Sequence, residues 1–288
     1  MRKNITHMLY HIFVVLLSAG IALSLPVTIK YFAQRMLMYW SVVENEELFL
    51  VATEIGAAII LIVFFNAIVR GWRIRKISRM AKDAGLAGVA RATALLERRR
   101  LKKLKEGQGF GRNVMIISST GFRTFADPAG DMHDVLQTCR EAKILLLDPL
   151  KDGVTVRARS LADPCVTPEG FREQIIRSID FLKGLKAHQK NIRLKLYQDV
   201  PLLKLAILGD YLCLQHYPAG LNVRKMPEYV FKHDQNGGLF NLFYQYFVSR
   251  WFDPNIPEYD LDTDELVYRD KAGNEVRREK FNEVAMEV

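Results

Sequence analysis

Asn191–Tyr217 reads NIRLKLYQDVPLLKLAILGDYLCLQHY. It holds three short apolar runs, each ended by turn-forming or polar residues. Ile192–Tyr197 alternates apolar with basic side chains, the period-two pattern of a half-buried strand. Leu202–Leu208 and Tyr211–Tyr217 flank Gly209-Asp210, a dipeptide suited to a tight hairpin turn. Three strands in succession make this a sheet-based domain.

Upstream, strands alternate with helices. Val114–Ile117 and Ile144–Leu147 are short apolar runs that read as buried strands. Met132–Ala142 has helical spacing, with Asp131 placed to cap it. Thr167-Pro168-Glu169 opens a helix to Gln189, with proline at its first turn. Phe171, Ile175, Ile179, Leu182 and Leu185 share one face of it. Downstream, Leu239–Trp251 is an aromatic helix expected to be largely buried. Leu266–Arg269 and Glu275–Arg278, around Lys271–Asn274, read as a closing hairpin. The pattern predicts an α/β sandwich with a mixed sheet over residues 112–288.

Residues 72–111 form a basic connector. They lack proline, and Leu86, Val89, Thr93 and Leu96 follow a three-four-three spacing, the mark of a narrow apolar seam on a helix. Gly85 and Gly88 weaken such a helix by about 1 kcal/mol each, so a break there is foreseen. Gly107–Gly111 closes the connector with a flexible boundary.

Residues 1–71 read as a two-span membrane hairpin. Leu48–Val69, LFLVATEIGAAIILIVFFNAIV, has the roughly twenty apolar residues that cross a bilayer. Arg70, Arg73, Arg75 and Lys76 follow it and predict a cytosolic carboxyl side. Met8–Ile29 is a second apolar run behind Arg2 and Lys3, read as a retained span, with a cleaved leader as the alternative. An outer hairpin, about Lys30–Glu47, would join the two and leave both termini in the cytosol at the inner (plasma) membrane. Gly20 with Ser24, and Ala52 with Gly56, are small-residue pairs that favour helix association. Glu54 lies near the outer surface and is expected to reach water.

The 288 residues carry a formal net charge of +9. The basic stretch after the span reads first as a contact with anionic lipid, worth about 1 kcal/mol per charge, and second as a nucleic-acid surface. Cys139, Cys165 and Cys213 are too few and too odd for a disulfide framework and fit a reducing compartment. No Walker loop, GxGxxG or calcium-loop spacing is present. No cofactor or metal is expected.

Three places suit chemistry. Ser118-Ser119-Thr120-Gly121 follows a strand directly, where hydroxyls and a glycine suit an anion, and Arg123 adds positive charge. An ordinary polar strand end is the alternative. Lys204 interrupts an apolar strand, which is costly without a partner. Period two puts Leu202, Lys204, Ala206 and Leu208 on one face. His216 stands beside Tyr217 on the neighbouring strand.

At this hairpin the chain resembles the phospholipase D superfamily. The order strand, helix, strand, long helix, then Asn191–Tyr217, looks like the part of that fold carrying its HxKxxxxD motif, and LFNLFYQYFVSRW resembles its closing helix. The likeness covers most of Asn113–Phe252. Lys204 falls on the motif lysine, Leu202 on the nucleophilic histidine, and Asp210 one place from the aspartate. The resemblance implies a phospholipase D-like domain that lacks the phospho-enzyme nucleophile, is non-catalytic, and pairs as a dimer or higher homo-oligomer. The expected ligand is phosphate-bearing: a nucleotide, nucleic acid or lipid headgroup, bound by Lys204, Ser118, Ser119, Thr120, Arg123, His216 and Asp210. The expected function is a membrane-anchored sensor or effector in contact with the lipid bilayer, a build shared with bacterial stress and phage-defence effectors. A membrane-bound phosphodiesterase or nuclease using His216 is the alternative.

Overall fold

A computed structural model describes residues 24, 26–39, 47–161, 163, 165–188, 190–234, 238–270 and 272–281. The chain divides into two compact units, Met1–Lys76 and Ile77–Val288.

In the first unit residues 26–39 are helical (α1), although the connecting hairpin was expected to begin at about Lys30. The expected span Met8–Ile29 lies almost wholly outside the described residues. The second helix, α2, runs Glu47–Asp83 and so continues well past the apolar stretch into the basic one. Among the described residues it is the one helix long and apolar enough to cross a membrane, not two, and its apolar stretch is unburied. Ile59, Ile60, Phe64 and Phe65 are all more than half exposed. Such a surface is stable in lipid and costly in water.

The second unit is built on one mixed ten-stranded sheet. From Ile77 onward the connector belongs to it, and beyond the end of α2 at Asp83 the helical-stalk reading is corrected. Leu86–Ala90 is a strand, β1, and Leu86 and Val89 pair across to Phe231 and Tyr229 instead of forming a helical seam. α3 follows at Leu95–Gly109 and buries Leu101, Lys105 and Gly109. β2 (Asn113–Ile117) and β3 (Glu141–Leu147) are parallel, as are β3 and β4 (Asn191–Tyr197). β5 (Leu203–Leu208) and β6 (Tyr211–His216) form the expected hairpin, with Gly209 at a φ of 54° in its turn. β7 (Glu228–Lys232) follows, then β8 (Glu258–Asp260), β9 (Glu265–Arg269) and β10 (Glu275–Lys280). The spatial order is β1-β7-β6-β5-β2-β3-β4-β8-β9-β10. β10 is an open edge whose six residues are all exposed.

Helices cover both faces. α4 is His133–Thr138, shorter than the expected Met132–Ala142, because Glu141 and Ala142 are taken into β3. Asp131 does not cap it; its carboxylate is drawn instead to Lys105. α5 is Asp152–Arg159. α6 is Pro168–Ala187, with the Thr167 hydroxyl accepting from the Gly170 N–H and Phe171, Ile175, Ile179 and Leu182 buried, as the spacing predicted. α7, Leu239–Trp251, buries Phe240, Phe247 and Trp251 but leaves Leu242 and Tyr244 exposed, so it is less enclosed than its composition implied.

Candidate functional site: a basic cleft at the strand ends

Strand register decides which side chains share a face. β5 runs antiparallel to β2 with Ile117 opposite Leu205, so the next step sets Ser118 opposite Lys204. On the other side Lys204 stands opposite Gln215. Side chains alternate faces, so Ser118, Lys204, Gln215 and then Tyr217 all point the same way. They line a cleft of about 490 Å³ together with Ser119, Thr120 and Arg123.

The loop after β2 is held from several directions. The Tyr217 phenol oxygen accepts from the Ser119 N–H at 3.1 Å and the Ser119 hydroxyl at 3.3 Å, and lies 3.4 Å from the Ser118 hydroxyl. The Tyr197 hydroxyl donates to the Ser118 carbonyl, and burial pushes its pKa well above the ordinary value. The Ser118 hydroxyl accepts from the Gly121 N–H. Gly121 has a φ of 74°, and a Cβ there would run into the Phe125 ring, so only glycine turns the chain at this point. Thr120 donates to Gln174 on α6 at 3.2 Å.

Arg157 closes the cleft from α5. It is 3% exposed, and its guanidinium sits 4.9 Å from the centre of the Tyr217 ring. It donates to the Ser160 hydroxyl and the Pro218 carbonyl. Among the described residues no carboxylate lies within ion-pair distance of it. Burial lowers its pKa from the ordinary value, yet a guanidinium stays charged at any working pH. Arg98, Arg123 and Lys204 also line the cleft and have no ion-pair partner among the described residues.

Below the cleft lies a compensated cluster. Lys105, 1% exposed, is bonded to Asp131 and, at 2.6 Å, to Glu228. Burial opposes the Lys105 charge, but the two carboxylates outweigh burial and hold its pKa above normal. Burial likewise opposes the Asp131 charge, and Lys105 with Lys204 reverses that, holding its pKa below the usual carboxylate range. Cys213 sits next to this cluster, its thiol pushed up to about 12 by burial.

The cleft gathers Lys204, Ser118, Ser119, Thr120 and Arg123. His216 and Asp210 are not among its residues, which corrects their expected placement. His216 stands opposite Leu203, so it shares the other face, and it is exposed. Asp210 sits in the hairpin turn at the far end of β5 and lines a separate depression with Arg112, His233 and Tyr244. Tyr217, Arg157 and Arg98 were missed. Tyr217 was within reach, since hairpin parity puts it on the Lys204 face. Arg157 gave no signal, because nothing in DGVTVRAR marks one arginine as buried. Among the described residues no group of three or more His, Cys, Asp or Glu is placed to hold a metal.

No protein-family model matches the chain, and no curated protein does. Among solved structures, one described as that of TrmBL2, an archaeal chromatin protein showing a novel mode of DNA binding, is similar at 12% identity with a TM-score of 0.33. The match covers 69% of this chain and 66% of that one, just under two thirds of its length.

Proposed function

We propose that this chain is a membrane-anchored sensor whose sheet domain binds a phosphate-bearing ligand in the Lys204–Arg157 cleft and signals to the membrane. The observation that carries the reading is Arg157: a guanidinium buried to 3% exposure with no carboxylate beside it. A buried unbalanced charge is costly, and an anion entering the cleft offsets that cost. The serine hydroxyls and the N–H groups of Ser118–Gly121 supply donors at the same place. The exposed apolar surface of α2, ended by Arg70, Arg73, Arg75 and Lys76, supports an inner-membrane location with the sheet domain in the cytosol. The second span and a homo-oligomeric assembly complete the proposed architecture, as does a part in stress or phage defence.

A phospholipase D-like origin is the finer reading of the fold. It is supported by Lys204 opening on the cleft; Leu202 and Asp210 do not join it there. Phosphodiester turnover is therefore not expected. Isothermal titration of detergent-solubilised protein with inorganic phosphate tests the binding, and Arg157→Ala should weaken it at least about tenfold, the range of a charge-assisted hydrogen bond. Unchanged affinity in that variant would remove the reading. A cysteine placed at Asn274 should resist an impermeant reagent in intact cells.

A further inference from the structure

The cleft is longer than one phosphate requires. Its lining includes Ala90 on β1 and Ser118 at the end of β2. In the sheet order β1-β7-β6-β5-β2 these are four strand steps apart. At about 4.8 Å per step the trough runs for about 19 Å.

Its unpaired cations are spread along that length. Arg157 and Arg123 stand at the Tyr217 and Ser118 end. Lys204, on β5 and opposite Ser118, is one strand step in from that end, on the side toward β1. Arg98 belongs to the other end. It lies three and seven residues before Leu101 and Lys105, on the same face of α3, and Lys105 bonds Glu228 on β7, next to β1. The acidic residues of the trough are engaged elsewhere. Asp131 and Glu228 hold Lys105, while Asp127 and Asp163 accept from the backbone N–H groups of Ala129 and Cys165. Arg91 is taken by Glu97. Four positive groups on four different elements therefore line one elongated space with no ion-pair partner among the described residues, beside the carboxylates of Asp127, Asp131, Asp163 and Glu228.

Resting on the anion-binding reading above, we infer that the ligand is a small molecule carrying two separated phosphate groups. One phosphate sits at the Ser118–Gly121 loop with Arg157 and Arg123. The other sits toward Arg98, and Lys204 lies between them. The class is a sugar or headgroup bisphosphate, or a 5′-phosphorylated dinucleotide; both present this chemistry.

The full chain in detergent is titrated with inorganic phosphate, fructose 1,6-bisphosphate, the dinucleotide pApA and a 5′-phosphorylated deca-adenylate. At least one two-phosphate probe should bind about 30-fold or more tightly than inorganic phosphate. Tighter pApA identifies a nucleotide source, and tighter fructose 1,6-bisphosphate a sugar or headgroup source. Arg98→Ala, at an exposed position on α3, should cost the two-phosphate probe about tenfold and inorganic phosphate less than about twofold. Equal affinity for inorganic phosphate and both two-phosphate probes would overturn the inference and leave the anion site intact. Failure of every probe to bind would remove both. A further gain of about tenfold or more with the deca-adenylate would overturn it in favour of a nucleic-acid track.

Discussion

Arg157, which lines the cleft, and Lys105, whose partners Asp131 and Glu228 line it, are both buried cations, and their surroundings are opposite. Lys105 is bracketed by Asp131 and Glu228, contributed by two distant parts of the chain. Arg157 has a hydroxyl, a carbonyl and the face of an aromatic ring, and no negative charge. The first arrangement ties α3 to β7 and to the segment before α4, so it is a structural joint. The second leaves a charge with no ion-pair partner among the described residues, the place that the proposed ligand would fill. Burial alone does not separate a fold-holding ion from a ligand-seeking one; the count of opposite charges around it does.

The largest effect should come from breaking the joint. Lys105→Met leaves two carboxylates facing each other in a buried place, and urea denaturation at pH 7 should show a loss of about 3–5 kcal/mol. The same variant should recover part of that loss near pH 4–5, where unpaired buried carboxylates take up protons. The wild type should behave otherwise. The Asp131 pKa is lowered in the folded state, so its contribution is present above about pH 3.9 and is lost only as pH falls below that. A Lys105→Met protein as stable as wild type at pH 7 would erase the distinction drawn here.

The next effect is alkaline. The folded Cys213 thiol is pushed up to about 12, while an unfolded one titrates near 8.5. Stability from this group is complete below about pH 8.5 and declines as pH rises toward the folded value, by about 1.4 kcal/mol per unit. Between pH 8.5 and 10 the wild type should lose about 2 kcal/mol that Cys213→Ala does not lose. Parallel pH profiles for the two proteins would contradict this. Lys105 sharpens the contrast. Its pKa is raised, so its own contribution persists to about pH 10.4 and fails only above that.

The smallest effect on stability should come from the other ion. Arg157→Met removes an uncompensated buried charge and keeps much of its volume, so urea unfolding should shift by no more than about 1 kcal/mol. A loss as large as that of Lys105→Met would make Arg157 a structural group and weaken its assignment to a ligand.

The sheet was legible where pattern and length agree. The β5–β6 hairpin, the α6 face and the closing β9–β10 hairpin follow from period and turn chemistry, which are local. β1 was not legible. Leu86, Val89, Thr93 and Leu96 fit a helical spacing, whereas the inward positions of the strand, Leu86, Gly88 and Ala90, carry little apolar signal, and the decision came from pairing with Phe231 and Tyr229, far along the chain. The Asp131 cap failed for a related reason: a buried ammonium 26 residues upstream competes for the carboxylate more strongly than helix N–H groups do. Of the site, the residues read from strand ends are gathered in the cleft. His216 was set on the wrong face by one place of parity, and Arg157 depends on a tertiary fit that no local pattern encodes.

β10 bears on crowding. On the proposed reading, α2 as an anchor would confine many copies to a plane, where open sheet edges would meet often. Glu275–Lys280 reads EVRREK, charged at five of six positions. If two copies paired antiparallel about the centre of this strand, Arg277 would face Arg278 at its middle, where like charges directly opposite repel, while Glu275 would face Lys280 at its ends. An edge so charged discourages continuous growth of one sheet into the next. Copies anchored in this way would then remain a set of separate sheets.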